Sequence, residues 1–423
     1  MSASPPDGRA ATRPRGWQRV RAPHGAGFWI VATTFVLVMA YSTVPTPLYP
    51  LYQERDGFAV WMITVIFAAY AVGVIISLYL LGHVSDWFGR RRMLVIAVLV
   101  SALSAVLFLM WADPVGLVAA RLVNGVSIGI LAATATAHLG ELRSVAKPDE
   151  NHIVAASVAG ASNLGGLALG PLIGGLFAEF LPDPLVLPHA VFLVVLLVAA
   201  VVVMCVPETV DPPTEPVHYR PQRLSAPRGG GAAFTAAAFG AFAGFAVLGL
   251  FTSLAPTFLV LSFHEGDHLL AGATTFAVFG AAAVAQLVFG PLSTRTQLAI
   301  AATGCFFGLT AVAVGALTLQ LAIFLAGGVI AGMGVGILFK GAIATATRLA
   351  DPQRRGETLA LVFLIAYAGL ALPALAVGVA LMFAPATTVL LIFVALVIFA
   401  TVTAAVVMRR QERLPTGPER HPA

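Results

Sequence analysis

The sequence GHVSDWFGRRR, residues 82–92, lies between two apolar segments, 60–81 and 93–111. It holds two glycines, one aspartate and three consecutive arginines, in a chain of 423 residues that is 59% hydrophobic and only 10% charged. A soluble chain carries roughly a quarter charged residues, so water is not the main solvent of this protein. The stretch is therefore expected to be a polar loop between two membrane-spanning helices.

Twelve apolar segments are long enough to cross a bilayer as helices, which takes about twenty residues each. They run near 28–50, 60–81, 93–111, 115–138, 152–180, 189–207, 233–261, 269–292, 298–316, 320–345, 358–382 and 387–408. The segments are continuously apolar rather than alternating, which excludes a transmembrane barrel. The first is too long for a signal-peptide core, so no cleavage is expected. The sequence predicts an all-α polytopic membrane protein with twelve transmembrane helices.

Basic residues indicate which loops face the cytoplasm. With a cytoplasmic N-terminus, 21 of the 24 lysines and arginines fall on one side, leaving Arg55 outside and Arg121 and Lys340 within spans. The net charge of +5 is then a topology signal, and nucleic-acid binding is not expected. The chain has two lysines and 22 arginines, a bias that favours a GC-rich bacterial source. We therefore expect the protein in a plasma (inner) membrane. The loop charges place both of its termini in the cytoplasm.

The longest polar segment divides the spans six and six, and short motifs recur across it. We expect a cytoplasmic tail at 1–27, a six-helix bundle at 28–207, a cytoplasmic linker at 208–232, a second bundle at 233–408 and a cytoplasmic tail at 409–423. PTPL at 45–48 resembles PTFL at 256–259, GVSIGIL at 125–131 resembles GMGVGIL at 332–338, and GLAL at 166–169 recurs at 369–372. Similar offsets in the same order predict a duplicated six-helix unit.

The arrangement of spans, the central linker and the 82–94 motif resemble the major facilitator superfamily of secondary transporters. The resemblance implies two six-helix pseudo-repeats related by an axis along the membrane normal, with substrate near the midplane. It also implies a monomer in the lipid bilayer that works by alternating access.

The first motif is the family's cytoplasmic gate loop, of the form G-x-x-x-D-x-x-G-R-[KR]-[KR]. The matching residues are Gly82, Asp86, Gly89, Arg90, Arg91 and Arg92. A carboxylate is stabilised at a helix N-terminus, and the resemblance places Asp86 against the eleventh helix, near Gly356 and Glu357, where it would hold the cytoplasmic side closed. The arginines would in any case keep the loop in the cytoplasm. The second half has Thr294 at the corresponding position, so the contact is expected on one side only.

The second motif lies in the fourth span, within RLVNGVSIG. It comprises Arg121, Asn124, Gly125 and Gly129 and resembles the family pattern R-x-x-[QN]-G-x-x-x-[GA]. An arginine inside a span costs about 2.5–3.5 kcal/mol, so Arg121 is expected to face an interior cavity. The alternative is that it reaches the nearby helix end. In related exporters this arginine is associated with proton transfer.

The third motif lies in the fifth span and comprises Gly166, Gly170, Pro171, Gly174 and Gly175. Glycines at four-residue spacing let another helix pack backbone to backbone, and Pro171 removes one helical hydrogen bond and is expected to kink the helix. The pattern resembles the signature of drug and metabolite:proton antiporters. That resemblance implies export, with the glycines closing the external side.

Polar residues inside spans are candidates for the cavity: Tyr41, Asn163, Gln286 and Lys340. The alternatives are hydrogen bonds between helices for Asn163 and Gln286, and a position at the helix end for Lys340. None of the 19 acids lies deep in a span, so proton coupling is implied by the resemblance alone. With Arg121 and Lys340 as the ionisable residues inside spans, the substrate is expected to be neutral or anionic.

The predicted function is proton-linked efflux of a small organic molecule, a drug or metabolite. An uptake symporter on the same fold is the main alternative, and a polytopic membrane enzyme or sensor is a weaker one. Cys205 and Cys305 have neither disulfide nor metal-ligand spacing, and no nucleophile or G-x-x-x-x-G-K-[ST] motif is present. We therefore expect no enzyme activity, no cofactor and no metal.

Overall fold

The computed structural model describes residues 21–150, 153–211, 218–227 and 229–412. Most of the predicted N-terminal tail, positions 212–217 and 228 of the predicted linker, and the C-terminal tail from 413 onwards lie outside the described residues. All regular secondary structure in the described ranges is helical.

The helices divide into two successive sets on either side of the linker. The first set comprises α1 (His24–Thr43), a 3₁₀ turn (Thr46–Leu48), α2 (Tyr49–Asp56), α3 (Val60–Leu81), α4 (Ser85–Phe88), α5 (Arg90–Met110), α6 (Pro114–Ala146), α7 (Ile153–Phe180) and α8 (Leu187–Val203). The second comprises α9 (Gly231–Ser253), α10 (Ala255–Phe263), α11 (His268–Val288), α12 (Thr294–Thr318), α13 (Leu321–Leu349), a 3₁₀ turn (Pro352–Arg354), α14 (Arg355–Ala380) and α15 (Ala386–Gln411).

Within the described residues, eleven helices are long and apolar enough to cross a membrane. The sixth predicted span corresponds to α8, which has 17 residues and is shorter than the usual length of about twenty. The protein is thus an all-α polytopic membrane protein, and its described residues form eleven helices of membrane-spanning length and one shorter apolar helix, α8, at the sixth predicted span.

The first span of each half is interrupted rather than continuous. The span predicted at 28–50 ends as α1 at Thr43, and the span predicted at 233–261 ends as α9 at Ser253. The breaks fall beside Pro45 and Pro256. Proline has no N–H to donate to a carbonyl of the preceding turn, so it removes a helical hydrogen bond. The repeated PTPL and PTFL motifs therefore mark the same break in both halves.

Several helices begin at a side-chain cap. Asp113 accepts a hydrogen bond from the amide of Gly116 at 2.8 Å, directly before Pro114 opens α6. This bond lowers the pKa of the Asp113 carboxyl, since it stabilises the charged form. Asp267 similarly caps α11 through Leu270 N at 2.8 Å. Caps satisfy amides that have no acceptor within the helix.

Glycines set the distances between helices. A Cβ at Gly125 of α6 would overlap the carbonyl oxygen of Tyr70 in α3, and a Cβ at Gly332 of α13 would overlap that of Val278 in α11. The two halves meet where α7 packs on α11 and where α3 packs on α14. Below, "linker end" denotes the end of the bundle that carries loop 82–92 and the linker, and "opposite end" the other.

Candidate functional site

A cavity of about 280 Å³ lies between the two halves. Its walls come from both helix sets and are largely apolar. The aromatic lining residues with phenyl rings are Phe67, Phe245, Phe279, Phe339 and Phe363. The polar lining residues include Thr43, Tyr70, Arg121, Asn163, Thr252, Gln286 and Tyr367. An apolar cavity with a few converging polar groups is the usual form of a site for a small organic molecule.

Arg121 forms part of the cavity wall and does not reach the helix end. It is 1% exposed, and its Nη1 donates to the carbonyl oxygen of Ser42 at 2.6 Å. The guanidinium carbon lies 4.5 Å from the ring centroid of Tyr70, a favourable cation–π distance. Nη1 is also 3.5 Å from Oδ1 of Asn124. Among the described lining residues Arg121 is the one with a permanent charge, so the wall has a positive centre.

Asn163 and Gln286 both line this cavity, one from each half. Oδ1 of Asn163 is buried and has no hydrogen-bond partner among the described residues, so it is available to accept from a bound molecule. Gln286 also lines an adjoining cleft together with Gly160 and Leu164. The cavity therefore continues between α7 and α11.

Lys340 lies on the wall of that adjoining cleft rather than in the main cavity. It is half-buried, and its Nζ donates to the backbone oxygen of Gln286 at 3.0 Å. Gln286 is in the last turn of α11, where unpaired carbonyls favour a cation. The ammonium group therefore stabilises a helix end close to the path between the halves.

Tyr41 differs from the other three candidate cavity residues, because it lines neither the main cavity nor the adjoining cleft. It is fully buried, and its hydroxyl lies 3.1 Å from Nδ1 of His189. Tyr52 lies 3.0 Å from Nε2 of the same ring, which stacks on Phe108 at 4.3 Å. The three side chains join the short helix α8 to α1 and α2 inside the first half. The hydroxyl satisfies a buried histidine, which explains a polar residue in an apolar span without a cavity.

The 82–92 loop is held in place by carboxylates from α6 and from the start of the linker. Gly89 has φ = +111°, a conformation that glycine accommodates, whereas Gly82 has an ordinary helical φ of −58°. Oε1 of Glu208 accepts from the amide of Arg90 at 2.8 Å and so caps α5. The Arg90 side chain pairs with Glu141 at 2.9 Å.

The remaining arginines of the loop also have partners. Arg91 Nη1 donates to the carbonyl oxygen of Val206 at 3.3 Å. The Arg92 guanidinium lies 5.7 Å from the ring centroid of Phe88. The loop is therefore ordered by the end of α6 and the start of the linker, and it is more than a solvated run of charges.

Asp86 contacts Arg90 in this structure, not the start of α14. Its Oδ1 accepts from Nη1 of Arg90 at 2.5 Å, and its side chain is 60% exposed. Gly356 has no neighbouring atom close to where a Cβ would stand. The predicted contact with Gly356 and Glu357 is thus not formed in this conformation, and it stays a prediction for a conformation in which the linker end is closed.

The four glycines of the fifth-span motif all lie against neighbouring backbone. A Cβ at Gly166 would lie 2.5 Å from Cβ of Met39, and a Cβ at Gly170 would overlap the carbonyl oxygen of Ala40. A Cβ at Gly174 would overlap the carbonyl oxygen of Val44. These three glycines let α7 pack directly on α1 and the chain that follows it. We call them the glycine seam.

The seam leads to the contacts that join the halves at the opposite end. A Cβ at Gly175 would lie 2.6 Å from the carbonyl oxygen of His268, and a Cβ at Gly272 would overlap that of Pro171. Oε2 of Glu179 accepts from the amide of His268 at 3.2 Å. On the other side of the interface, Gly378 packs on Thr64. The cavity is closed at the opposite end by backbone-to-backbone packing.

Sequence reasoning missed Tyr70 and Tyr367, which line the cavity from the packed pair α3 and α14. The available signal was the tripeptide Ala-Tyr-Ala at 69–71 and 366–368, which places one hydroxyl among small residues in each half.

Sequence reasoning also missed Glu208 as the cap of α5. The signal there was an acid at the start of the linker, but its distance from residue 90 along the chain concealed the contact. His138 is buried, with Nε2 3.1 Å from the carbonyl oxygen of Pro207, and joins α6 to the linker.

The fold and the site define a class: a polytopic helical membrane protein with two similar halves and a cavity between them that is suited to a small molecule. The family model described as "Major Facilitator Superfamily" matches residues 30–372. The chain belongs to this superfamily and is a transporter rather than an enzyme.

Two curated relatives are similar over part of their length. The puromycin resistance protein pur8 of Streptomyces alboniger is 34% identical over 159 residues, which are 37% of this chain and 30% of that protein. The MFS-type transporter YfkF of Bacillus subtilis (strain 168) is 27% identical over 150 residues, 34% of this chain and 37% of that protein. This chain thus matches only about a third of the length of each relative.

Two solved structures have the same fold. The human organic anion transporter MFSD10 (TETRAN) superimposes with a TM-score of 0.67 at 15% identity, covering 91% of this chain and 100% of that one. A variant of the nucleoside transporter NupG superimposes with a TM-score of 0.68 at 12% identity, covering 90% and 99%. At these identities the likeness concerns the fold alone.

Proposed function

We propose that this transporter exports a small neutral or anionic organic molecule, a drug or metabolite, by alternating access coupled to protons. The observation that carries the proposal is the cavity between the halves, with the buried guanidinium of Arg121 in its wall and the glycine seam beside its closed end. The 34% identical segment of a puromycin resistance protein supports efflux as the direction.

The proposed orientation has the linker end in the cytoplasm of a bacterial plasma membrane. This assignment rests on the positive charge of the predicted loops. The conformation described above is then inward-facing, because the named contacts between the halves lie at the opposite end. A substrate would enter from the cytoplasm through the cleft lined by Gly160, Leu164 and Lys340.

The proposed charge of the substrate follows from the cavity wall. A buried guanidinium attracts an anion and repels a cation more strongly than it would in water, because the local dielectric constant is low. Nε of Arg121 has no partner among the described residues, so one charge-assisted hydrogen bond remains available. The phenyl rings would hold the apolar part of the molecule.

Transport direction separates export from uptake on the same fold. Fluorescein as an anionic probe and ethidium as a cationic probe are offered to energised everted vesicles and to right-side-out vesicles, with and without the protein. We expect protein-dependent accumulation of fluorescein in everted vesicles, abolished when nigericin collapses the pH gradient. Accumulation only in right-side-out vesicles would establish uptake, and ethidium transport by the unsubstituted protein as fast as that of fluorescein would refute the charge assignment.

A further inference from the structure

An apolar groove runs along the membrane-facing surface between α1 and α8. It has a volume of about 460 Å³, and its lining residues include Trp29, Thr33, Leu37, Val194, Val198 and Val202. Trp29 is 59% exposed and Val198 57%. From Trp29 to Leu37 the groove follows α1 for about 12 Å, close to half of the ~30 Å hydrocarbon core. Its length therefore matches the acyl region of one leaflet.

A polar cleft adjoins this groove at the linker end, and Trp29 lines both. The cleft has a volume of about 690 Å³, and its lining residues include His24, Gly25, Ala26, Arg143 and Lys147. Pro23 supplies no side-chain cap to α1, so the amides of the first turn have no acceptor within the helix. Tryptophan is typical of the boundary between acyl chains and headgroups.

The charged side chains at the cleft have a net positive charge. Glu150 pairs with Arg143 at 2.5 Å and lies 3.7 Å from Lys147. The hydrogen bond from Arg143 lowers the pKa of the Glu150 carboxyl, so this acid is ionised and offsets one of the two cations. The Lys147 side chain is 59% exposed and is free to turn towards a second anion. Arg143 is held more firmly, with its guanidinium carbon 5.1 Å from the ring centroid of Phe28.

We propose that this surface binds one anionic phospholipid. Its phosphate lies in the cleft at Lys147 and the first turn of α1, and one acyl chain lies in the groove beyond Trp29. A zwitterionic lipid fits less well, because its ammonium group would be brought beside Arg143 and Lys147. A second copy of the chain also fits less well, since a two-fold axis along the membrane normal would bring two sets of these cations together.

The headgroup assignment is tested on the full chain by native mass spectrometry, titrating the detergent-solubilised protein with phosphatidylglycerol or phosphatidylcholine of identical acyl chains. We expect tighter retention of phosphatidylglycerol. Lys147→Gln should weaken it about five-fold, the effect of one basic residue at an anionic surface, and leave phosphatidylcholine unchanged. Arg355→Gln, an exposed basic residue at the start of α14, is the matched control. Equal binding of the two lipids, or equal effects of the two substitutions, would overturn the proposal.

The groove is tested with Val198→Trp, which places a bulky ring in the proposed acyl path. Binding of phosphatidylglycerol should fall, whereas Leu396→Trp on α15, at a residue of similar exposure (64%), should leave it unchanged. If Val198→Trp leaves lipid binding intact, no acyl chain lies in the groove. If it abolishes a dimer instead, the surface is an interface between copies of the chain and the proposal is wrong.

Discussion

Helices α6 and α13 occupy corresponding places in the two halves, yet they supply different chemistry. Gly125 of α6 and Gly332 of α13, 207 positions apart in the chain, each bring their helix against the neighbouring backbone. At the same offset Arg121 corresponds to Gly328. Because Gly328 has no side chain, the ring of Phe251 packs against it, and the ring lies 2.9 Å from where a Cβ of residue 328 would stand. One half thus has a buried cation where the other has aromatic packing.

The cation of the second half lies at a different position along its helix. Lys340 corresponds to Ala133 at the same offset, and its ammonium donates to the end of α11 rather than into the main cavity. The duplicated unit therefore preserves how helices pack, while the ionisable groups are placed independently. Backbone packing must be right in both halves for the bundle to form, but a single binding site needs each polar group only once.

Helices α7 and α14 share only part of their close packing. Gly166 corresponds to Gly369 at an offset of 203, and a Cβ at Gly369 would overlap the carbonyl oxygen of Phe242 in α9. Gly170 and Gly174 correspond to Pro373 and Val377, so two of the three glycines of the seam have no counterpart. Gly175 and Gly378, by contrast, correspond to each other, and both pack on the opposite half. Close packing is therefore kept at the contact between the halves and at the position of Gly166, and it is lost at two positions of the glycine seam.

The largest effect is expected from breaking the seam. In Gly170→Ala the new Cβ would overlap the carbonyl oxygen of Ala40, and overpacking of this kind costs about 1–3 kcal/mol. Transport in vesicles should fall about ten-fold or more with normal membrane abundance. Gly165→Ala on the same helix, where a Cβ meets nothing within 4 Å, is the control. Equal activity of the two variants would mean that close packing at Gly170 is unimportant.

The next effect separates the two cations. Arg121→Ala removes the charge of the cavity wall and leaves the Ser42 carbonyl without this donor, so transport of an anionic probe should fall about ten-fold, the cost of one buried charged hydrogen bond. Lys340→Ala should have a smaller effect, because that ammonium acts at a helix end. Initial rates at several probe concentrations measure both. Equal losses would show that the two halves contribute alike to binding.

A smaller effect is expected from the one-sided loop contact. Asp86→Asn should slow transport several-fold, because the amide cannot provide the charge that favours a helix N-terminus, a term of about 0.3–2 kcal/mol. The melting temperature should hardly change, since the exposed pair with Arg90 is worth about 0–1 kcal/mol. Thr294→Val, at the corresponding position of the second half, should be silent. Normal transport by the Asn variant would remove the loop contact from the mechanism.

The smallest effect concerns helix starts. Asp113 caps α6, whereas Gln320, at the corresponding position, provides no side-chain cap to α13. Asp113→Ala should lower the melting temperature slightly at neutral pH. Because the pKa of Asp113 is lowered in the folded protein, its stabilisation is present above the unfolded pKa and is lost as pH falls through the folded one. The two melting curves should therefore converge in acid, and a constant difference would exclude the charged cap.

Local chain properties determined the apolar spans, the loop at 82–92 and the repeated PTPL and PTFL motifs, because each depends on residues close together in sequence. The spacing of the glycines also indicated backbone contact, since four-residue steps lie on one side of a helix. The helix breaks at Thr43 and Ser253 were missed, although Pro45 and Pro256 were visible, because hydropathy does not register a break within an apolar run.

Tertiary structure alone decided which polar groups meet. Tyr41 and Gln286 are both polar residues in apolar spans, but Tyr41 faces His189, 148 residues away, and Gln286 faces the cavity. Likewise Asp86 and Glu208 are both acids near the linker end, and it is Glu208 that caps α5. The sequence specifies the span or loop to which each group belongs. The partner of each group depends on how the helices rotate about their axes, and that rotation follows from packing against neighbours that are distant in the chain.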